Sequence, residues 1–164
     1  MKNLFLAVAV LAAVSIYAFQ TNAEKTAAKD ARPVRLAPSE LKWESAKALP
    51  PGAKLAVLEG DPTKAGPFTI RVKMPAEFRV GGHTHPVDER LIVVEGTFQY
   101  GEGDRYDEKA LKSYPAGSYL IIPKDQPHFG ASKKGTVIQI MGEGPWDIKY
   151  LAPSEDPRTQ DTRR

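Results

Sequence analysis

Three histidines and one glutamate carry the chemistry that can be read from this chain. The 164-residue sequence has only three histidines. Two sit in His83-Thr84-His85-Pro86-Val87-Asp88-Glu89, a stretch closed by Gly96, and the third ends Pro123-Lys124-Asp125-Gln126-Pro127-His128. Three imidazoles and a carboxylate form a donor set for a transition metal. On a β-strand His83 and His85 point to one face, because side chains alternate with a period of two residues. Two donors on one strand, Glu89 just beyond it and His128 from a distant strand suit an ion held inside a barrel. Mixed nitrogen and oxygen donors suit Fe, Mn, Ni, Cu or Zn, whereas Ca and Mg prefer oxygen alone. The residues do not choose among the five. With Glu89 on the ion, a six-coordinate metal keeps two open positions; with Glu89 swung away, the site is three-histidine and more zinc-like.

The spacing H-x-H-x3-E-x6-G from His83 to Gly96 resembles the first signature of the cupin superfamily. Gly117-x5-Pro123-x-Asp125-x2-His128 resembles the second. His83, His85, Glu89 and His128 fall on the ligand positions of these signatures. Glu77 stands where the first opens with glycine, Asp125 where the second has its middle glycine, and Ser132 where it closes with asparagine. None of these is a ligand position, so the departures bear on turn geometry. The resemblance spans roughly residues 55 to 150. It implies a single all-β domain, a double-stranded β-helix or jelly-roll barrel, with a metal on the four residues named and a small-molecule ligand or substrate beside it. It implies a small metalloenzyme: in a dioxygenase reading Glu89 doubles as the catalytic base, and in an isomerase or lyase reading the metal acts as a Lewis acid on a carbonyl or carboxylate. The alternative is a non-catalytic cupin that binds a metal or small ligand for sensing, storage or handover. A metal-free sugar-nucleotide epimerase on the same fold fits poorly, because the ligand set is complete. Dimers recur among proteins of this kind, and a homodimer is expected on that resemblance alone.

The elements that must position these residues read as short strands between turn signals. Phe68, Ile70, Val72 and Met74 alternate with polar residues and predict a strand with one buried face. Strands are also expected at Lys54–Glu59, at Phe78–Val80 running through Gly81-Gly82 into the histidines, and at Arg90–Tyr100. Others are expected at Ser118–Ile122, His128–Ala131, Thr136–Met141 and Trp146–Leu151. Ser132-Lys133-Lys134-Gly135 reads as a hairpin turn, and Asp104–Leu111 as one or two helical turns. The stretch Ser39–Leu49 is compatible with a helix or an extended arm. Many short strands with regular turns imply a sandwich or barrel, and the jelly roll fits best.

Further pocket candidates follow from parity and residue type. Gln99 shares the parity of Glu89 and is a candidate to face the cavity. Arg71 lies on the polar side of its strand, either solvent-facing or cavity-lining. Tyr119, Phe129 and Trp146 are candidates for an apolar mouth, with core placement the default for aromatic residues. Asp88 is either an acceptor for a ligand histidine or a solvated turn residue. The cluster Asp104–Glu108 lacks the spacing of a calcium loop.

Composition bounds the remainder. Hydrophobic residues make up 41% and charged residues 26%, ordinary globular values, and the net charge is +3. Lys and Arg form no stripe, which argues against nucleic acid as a partner. The absence of cysteine excludes disulfides and thiolate sites. Met1-Lys2-Asn3, the apolar run Leu4–Phe19 and Thr21-Asn22-Ala23 have the layout of a secretory signal peptide, residues 1–23, with cleavage expected after Ala23; the alternative is an uncleaved membrane anchor, for which the apolar run is short. The expected organisation is then a flexible leader at 24–40, the cupin domain at 41–152 and a disordered polar tail at 153–164. The compartment expected is periplasmic or secreted, with no membrane association after cleavage.

Overall fold

The computed structural model describes residues 33–160, and its elements all fall in one compact unit, Leu36–Arg164. The expected signal peptide and most of the expected leader lie outside the described residues. Among the described residues there are eight strands: β1 (Glu44–Ser45), β2 (Lys54–Glu59), β3 (Gly66–Thr84), β4 (Glu89–Glu102), β5 (Lys112–Pro115), β6 (Tyr119–Ile122), β7 (His128–Gly144) and β8 (Lys149–Tyr150). They follow the order β1-β2-β3-β7-β4-β5, with β6 on β4 and β8 on β3, and every pairing is antiparallel. This is the all-β jelly roll expected from the sequence. No helix among the described residues is long and apolar enough to cross a membrane.

Three long strands do the positioning. β3 and β7 pair from Gly66↔Gly144 to His83↔His128, so two histidines far apart in sequence face each other across one ladder. β4 covers the other edge of β7, from Arg90↔Met141 to Glu102↔His128. The expected alternation holds on β3: Phe68, Ile70, Val72 and Met74 are all buried. With Leu91 and Val93 of β4, Leu120 and Ile122 of β6 and Ile138 and Ile140 of β7 they form one core.

Several local expectations are corrected. Ser132–Gly135 is not a hairpin turn; β7 runs unbroken through it. The turn residues bend the strand instead, and β3 bends with it: Gly135 has φ 92° and Glu77 has φ 55°, while pairing continues on both sides at Phe78↔Ser132 and Met74↔Thr136. The strand expected at Trp146–Leu151 shrinks to β8. A strand not anticipated, β5, pairs with β4. Ser39–Leu49 holds only the end of a 3-10 turn (Pro38–Glu40) and the two-residue β1. Residues 153–160, expected to be a disordered tail, form a 3-10 turn (Pro153–Glu155) and a short helix, α1 (Pro157–Gln160). Polar composition misled there, because Arg158 links the segment to Asp147 and to the Ile148 carbonyl, contacts that composition does not show.

Candidate metal centre

The three histidines meet. One ring nitrogen from each of His83, His85 and His128 lies within 4.8 Å of the others, and all three side chains are buried. Ring centroids are 4.2 Å apart for His83–His128, 4.9 Å for His83–His85 and 5.1 Å for His85–His128. His83 and His128 are brought together by their ladder position, and His85 joins two residues on as β3 leaves the sheet.

Each imidazole has one nitrogen engaged by the backbone. Nδ1 of His83 faces the carbonyl of Gly81 at 2.7 Å, that of His85 the carbonyl of Asp147 at 2.8 Å, and that of His128 the carbonyl of Gln126 at 2.9 Å. A carbonyl only accepts, so each Nδ1 must carry the proton and donate. In a neutral ring that leaves Nε2 as a bare lone pair. Burial keeps the rings neutral: the pKa of His83 falls well below its ordinary value, that of His85 falls to about 4, and that of His128 is also lowered. Three buried neutral imidazoles with their tautomers set by backbone acceptors fit a divalent transition ion.

Glu89, at the start of β4, stands beside this trio. It is 2% exposed, and burial raises its pKa to about 7 against the opposing pull of a hydrogen bond from the Trp146 indole N–H. Its Oε1 lies 3.4 Å from Nε2 of His85. A lone pair and a carboxylate oxygen at that range repel unless a proton or a cation lies between them. Glu89 is not among the donors that cluster within 4.8 Å, so the three histidines form the tight set.

Around these groups lies a cavity of about 50 Å³. Apart from the three histidines, Glu89 and the Trp146 indole, it is walled by carbon, with Leu49, Val72, Met74, Leu91, Ile122 and Ile148 among the lining. Trp146 stacks on His85 with ring centroids 5.4 Å apart and planes 13° from parallel. Of the three aromatic residues proposed for the mouth, only Trp146 lines the cavity. Phe129 is buried on the opposite side of β7, where its ring meets Tyr106 at 5.5 Å. Tyr119 is 53% exposed, on the outer face of β6.

Gln99 does not reach this cavity, and the reason is a change of parity. Glu89, Leu91 and Val93 point inward, but the pairing of β4 with β7 shifts between Val93 and Glu95 and again between Gly96 and Gln99. Beyond those irregularities Phe98 and Tyr100 are the inward residues. A bulge of this kind exchanges the two faces of a strand. Arg71 is likewise directed away from the histidines and donates to Gln139 Oε1 at 3.1 Å. Asp88 touches no histidine; its Oδ1 accepts from the backbone N–H of Lys124 at 2.7 Å. Together with Asp125 N–H to His85 O at 2.9 Å, this ties the two histidine-bearing loops to each other. In the Asp104–Glu108 cluster, Glu108 lies 3.7 Å from both Arg79 and Lys133 and helps hold its loop on the barrel.

The departures from the cupin signatures keep the geometry of what they replace. Glu77 and Asp125, standing at glycine positions, are the two non-glycine residues with positive φ among those described, at 55° and 58°. Ser132, at the asparagine position, is fully buried and donates to Thr136 Oγ1 at 3.0 Å. Thr136 in turn donates to the Thr97 carbonyl at 2.8 Å.

The three orienting carbonyls went unseen from the sequence. Two were within reach of a local argument, since Gly81 and Gln126 each lie two residues before the histidine they hold. The third had no local signal, because Asp147 is 62 residues from His85.

The family described as a domain of unknown function, DUF4437, matches residues 34–163. The chain belongs to this family. Among solved structures, this DUF4437 chain is similar to the polyketide cyclase RemF from Streptomyces resistomycificus (15% identity, 80% of this chain and 94% of that chain covered, TM-score 0.65). It is also similar to an RmlC-like cupin from Ralstonia eutropha (15% identity, 82% and 86% covered, TM-score 0.60). KdgF from Halomonas sp. is similar too (18% identity, 66% and 93% covered, TM-score 0.52). At these identities the likeness establishes the fold, the cupin double-stranded β-helix. No curated protein matches the sequence.

Proposed function

We propose that this DUF4437 protein is a metal-dependent enzyme that acts on a small, largely apolar molecule. The observation that carries the reading is the convergence of three neutral imidazoles and one carboxylate on a single carbon-walled cavity. His83, His85 and His128 would hold a divalent Fe, Mn, Ni, Cu or Zn ion through Nε2. Such an ion supplies a Lewis acid for an oxygen of the substrate and an open position for water or dioxygen.

The protein's own groups supply the remainder. Glu89 faces the same cavity and is held by Trp146, which places a carboxylate where it can take a proton from a substrate carbon or return one. The apolar walls exclude water, and they offer a substrate little to hydrogen-bond beyond Glu89. A substrate bound there therefore needs one oxygen-bearing head toward the histidines and a compact hydrocarbon body. Proton transfer of the isomerase or lyase kind follows from Glu89 standing beside the trio; dioxygen insertion uses the same open position. We further propose that the folded domain acts in the periplasm or outside the cell, on the signal-peptide layout of residues 1–23.

Elemental analysis of protein purified from its native host without chelators tests the reading. Close to one transition ion per chain is expected. A protein that carries none, and takes up none on reconstitution with each of the five ions, would overturn it. Turnover is then to be sought with and without air, which separates the dioxygen reaction from proton transfer.

A further inference from the structure

The C-terminal segment packs beside the two residues, Gly81 and Asp147, whose carbonyls orient His83 and His85. Arg158 of α1 reaches back to the stretch that follows β7. Its guanidinium donates to Asp147 Oδ1 at 2.9 Å and to the carbonyl of Ile148 at 2.6 Å. The same group grips Asp156 with two parallel hydrogen bonds of 2.9 Å, so four of its contacts are saturated in a planar fork. Asp147 is the residue whose own carbonyl receives the Nδ1 proton of His85. Its neighbours Trp146 and Ile148 both line the cavity. Three residues earlier than Arg158, Glu155 packs its carboxylate against Gly81, the residue whose carbonyl holds His83. A methyl group on Gly81 would lie 2.1 Å from that carboxylate, so the approach depends on glycine. Between the two contacts, β8 pairs Tyr150 with His83, and Leu151 N–H donates to the Gly82 carbonyl at 2.9 Å.

We propose that residues 146–158 form a strap that sets the ligand geometry, with Arg158 as the positioning residue for His85. Arg158 touches neither the cavity nor a histidine. It acts by fixing the peptide at Asp147, an exposed residue between two anchored ones: Trp146 N–H donates to the Pro62 carbonyl at 2.7 Å, and Ile148 is buried. Ion pairs as exposed as these contribute little to global stability, commonly under about 1 kcal/mol. Their effect here is on the direction of one carbonyl. Losing a group that orients a metal-bound histidine typically costs about 10- to 100-fold in metal affinity.

The inference rests on the metal-site reading, so the experiment uses two readouts on the full chain. Cobalt(II) titration of the parent, Arg158→Ala, Arg158→Lys and the exposed control Arg90→Ala reports affinity and the ligand-field spectrum. Long-range 1H–15N spectra of the same metal-free proteins report the tautomer of each histidine. We expect Arg158→Ala to bind cobalt about 10- to 100-fold more weakly, with an altered spectrum. In the metal-free state its His85 should lose the pure Nδ1–H signature while His128 keeps it. Arg158→Lys should fall between Arg158→Ala and the parent, and Arg90→Ala should match the parent. Parent-like affinity and an unchanged His85 signature in Arg158→Ala would overturn the proposal. If the parent itself fails to bind cobalt, the metal reading is what fails, and the His85 tautomer then decides the strap by itself. Should Arg158→Ala not fold, the same two readouts on Arg158→Lys decide it, parent-like values again counting against the strap.

Discussion

Strand β3 carries two kinds of interior, and the contrast between them separates what builds this protein from what it is for. Its first half presents Phe68, Ile70, Val72 and Met74 to the core, each at most 3% exposed. Its far end presents His83, and two residues later comes His85, at 5% and 3% exposed. Burial is equally deep at both ends, but its energetic sense is opposite. Removing the apolar side chains from water stabilises the fold at about 25 cal/mol per Å². Removing three imidazoles and a carboxylate from water disfavours their charged forms, as the lowered histidine values and the raised Glu89 value record. The site assembled at the histidine end of β3 thus offsets part of the stability gained at its apolar end. Groups whose burial costs stability, and whose orientation is held by backbone and indole hydrogen bonds, mark a candidate functional site.

The sharpest way to break this contrast is to remove one side chain from each end. His85→Ala takes away a donor, and metal affinity should fall by more than about 100-fold, beyond the range of losing an orienting group. The metal-free fold should persist, as denaturant unfolding would show. Ile70→Ala should do the reverse, lowering stability by about 2–5 kcal/mol through a cavity in the core, with metal affinity within a few-fold of the parent. If His85→Ala kept its metal, or if Ile70→Ala lost it while folded, the two ends would not be separate.

Glu89 sharpens the same comparison through pH. Its pKa is about 7 in the folded protein against 4.5 for a free side chain. Between those values the folded state holds the proton and the unfolded state has released it. Stability of the metal-free protein from this group therefore falls as pH rises from about 4.5 to about 7, and then levels off. The full cost is about 3 kcal/mol, at about 1.4 kcal/mol per unit. The buried histidines contribute with the opposite sign below their ordinary value of 6.5, where the unfolded chain takes up protons that the folded rings refuse. Comparing parent with Glu89→Gln cancels His83 and His85 and leaves only the smaller coupling of Glu89 with His128. The stability advantage of Glu89→Gln should grow over that window and be flat above it. An advantage independent of pH would mean that Glu89 is not titrating in its buried place.

The smallest effect is expected at the bend between the two halves. Glu77 is exposed and holds φ 55°, a conformation that glycine adopts without penalty. Glu77→Gly should raise stability by about 0.5–1 kcal/mol, read as a few degrees in Tm, and leave metal affinity unchanged. A loss of stability would show that Glu77 makes a contact that outweighs the strain.

Parity explains why some of the site was legible and some was not. Ile70 and its neighbours follow unbroken alternation, so the core face of β3 could be read directly. Gln99 lies beyond two shifts of register on β4, and the same alternation rule places it on the wrong face. Tyr119 and Phe129 are of the right type for a pocket, but type does not tell which side of a strand a ring occupies.

Residue types and spacings alone determined the jelly-roll class, the cupin resemblance and the histidine and glutamate set, because strand periodicity is local and imidazoles are scarce in this chain. Only the tertiary structure decided which nitrogen of each ring is left bare and that Glu89 is held by Trp146 beside the trio. It alone revealed that Arg158 braces Asp147 behind His85. Unlike the bonds of His83 and His128, whose carbonyls lie two residues away, those that fix His85, Glu89 and Asp147 join residues 62, 57 and 11 positions apart. Hydrogen bonds across such separations are set by how the strands close around the interior, and no local pattern encodes them.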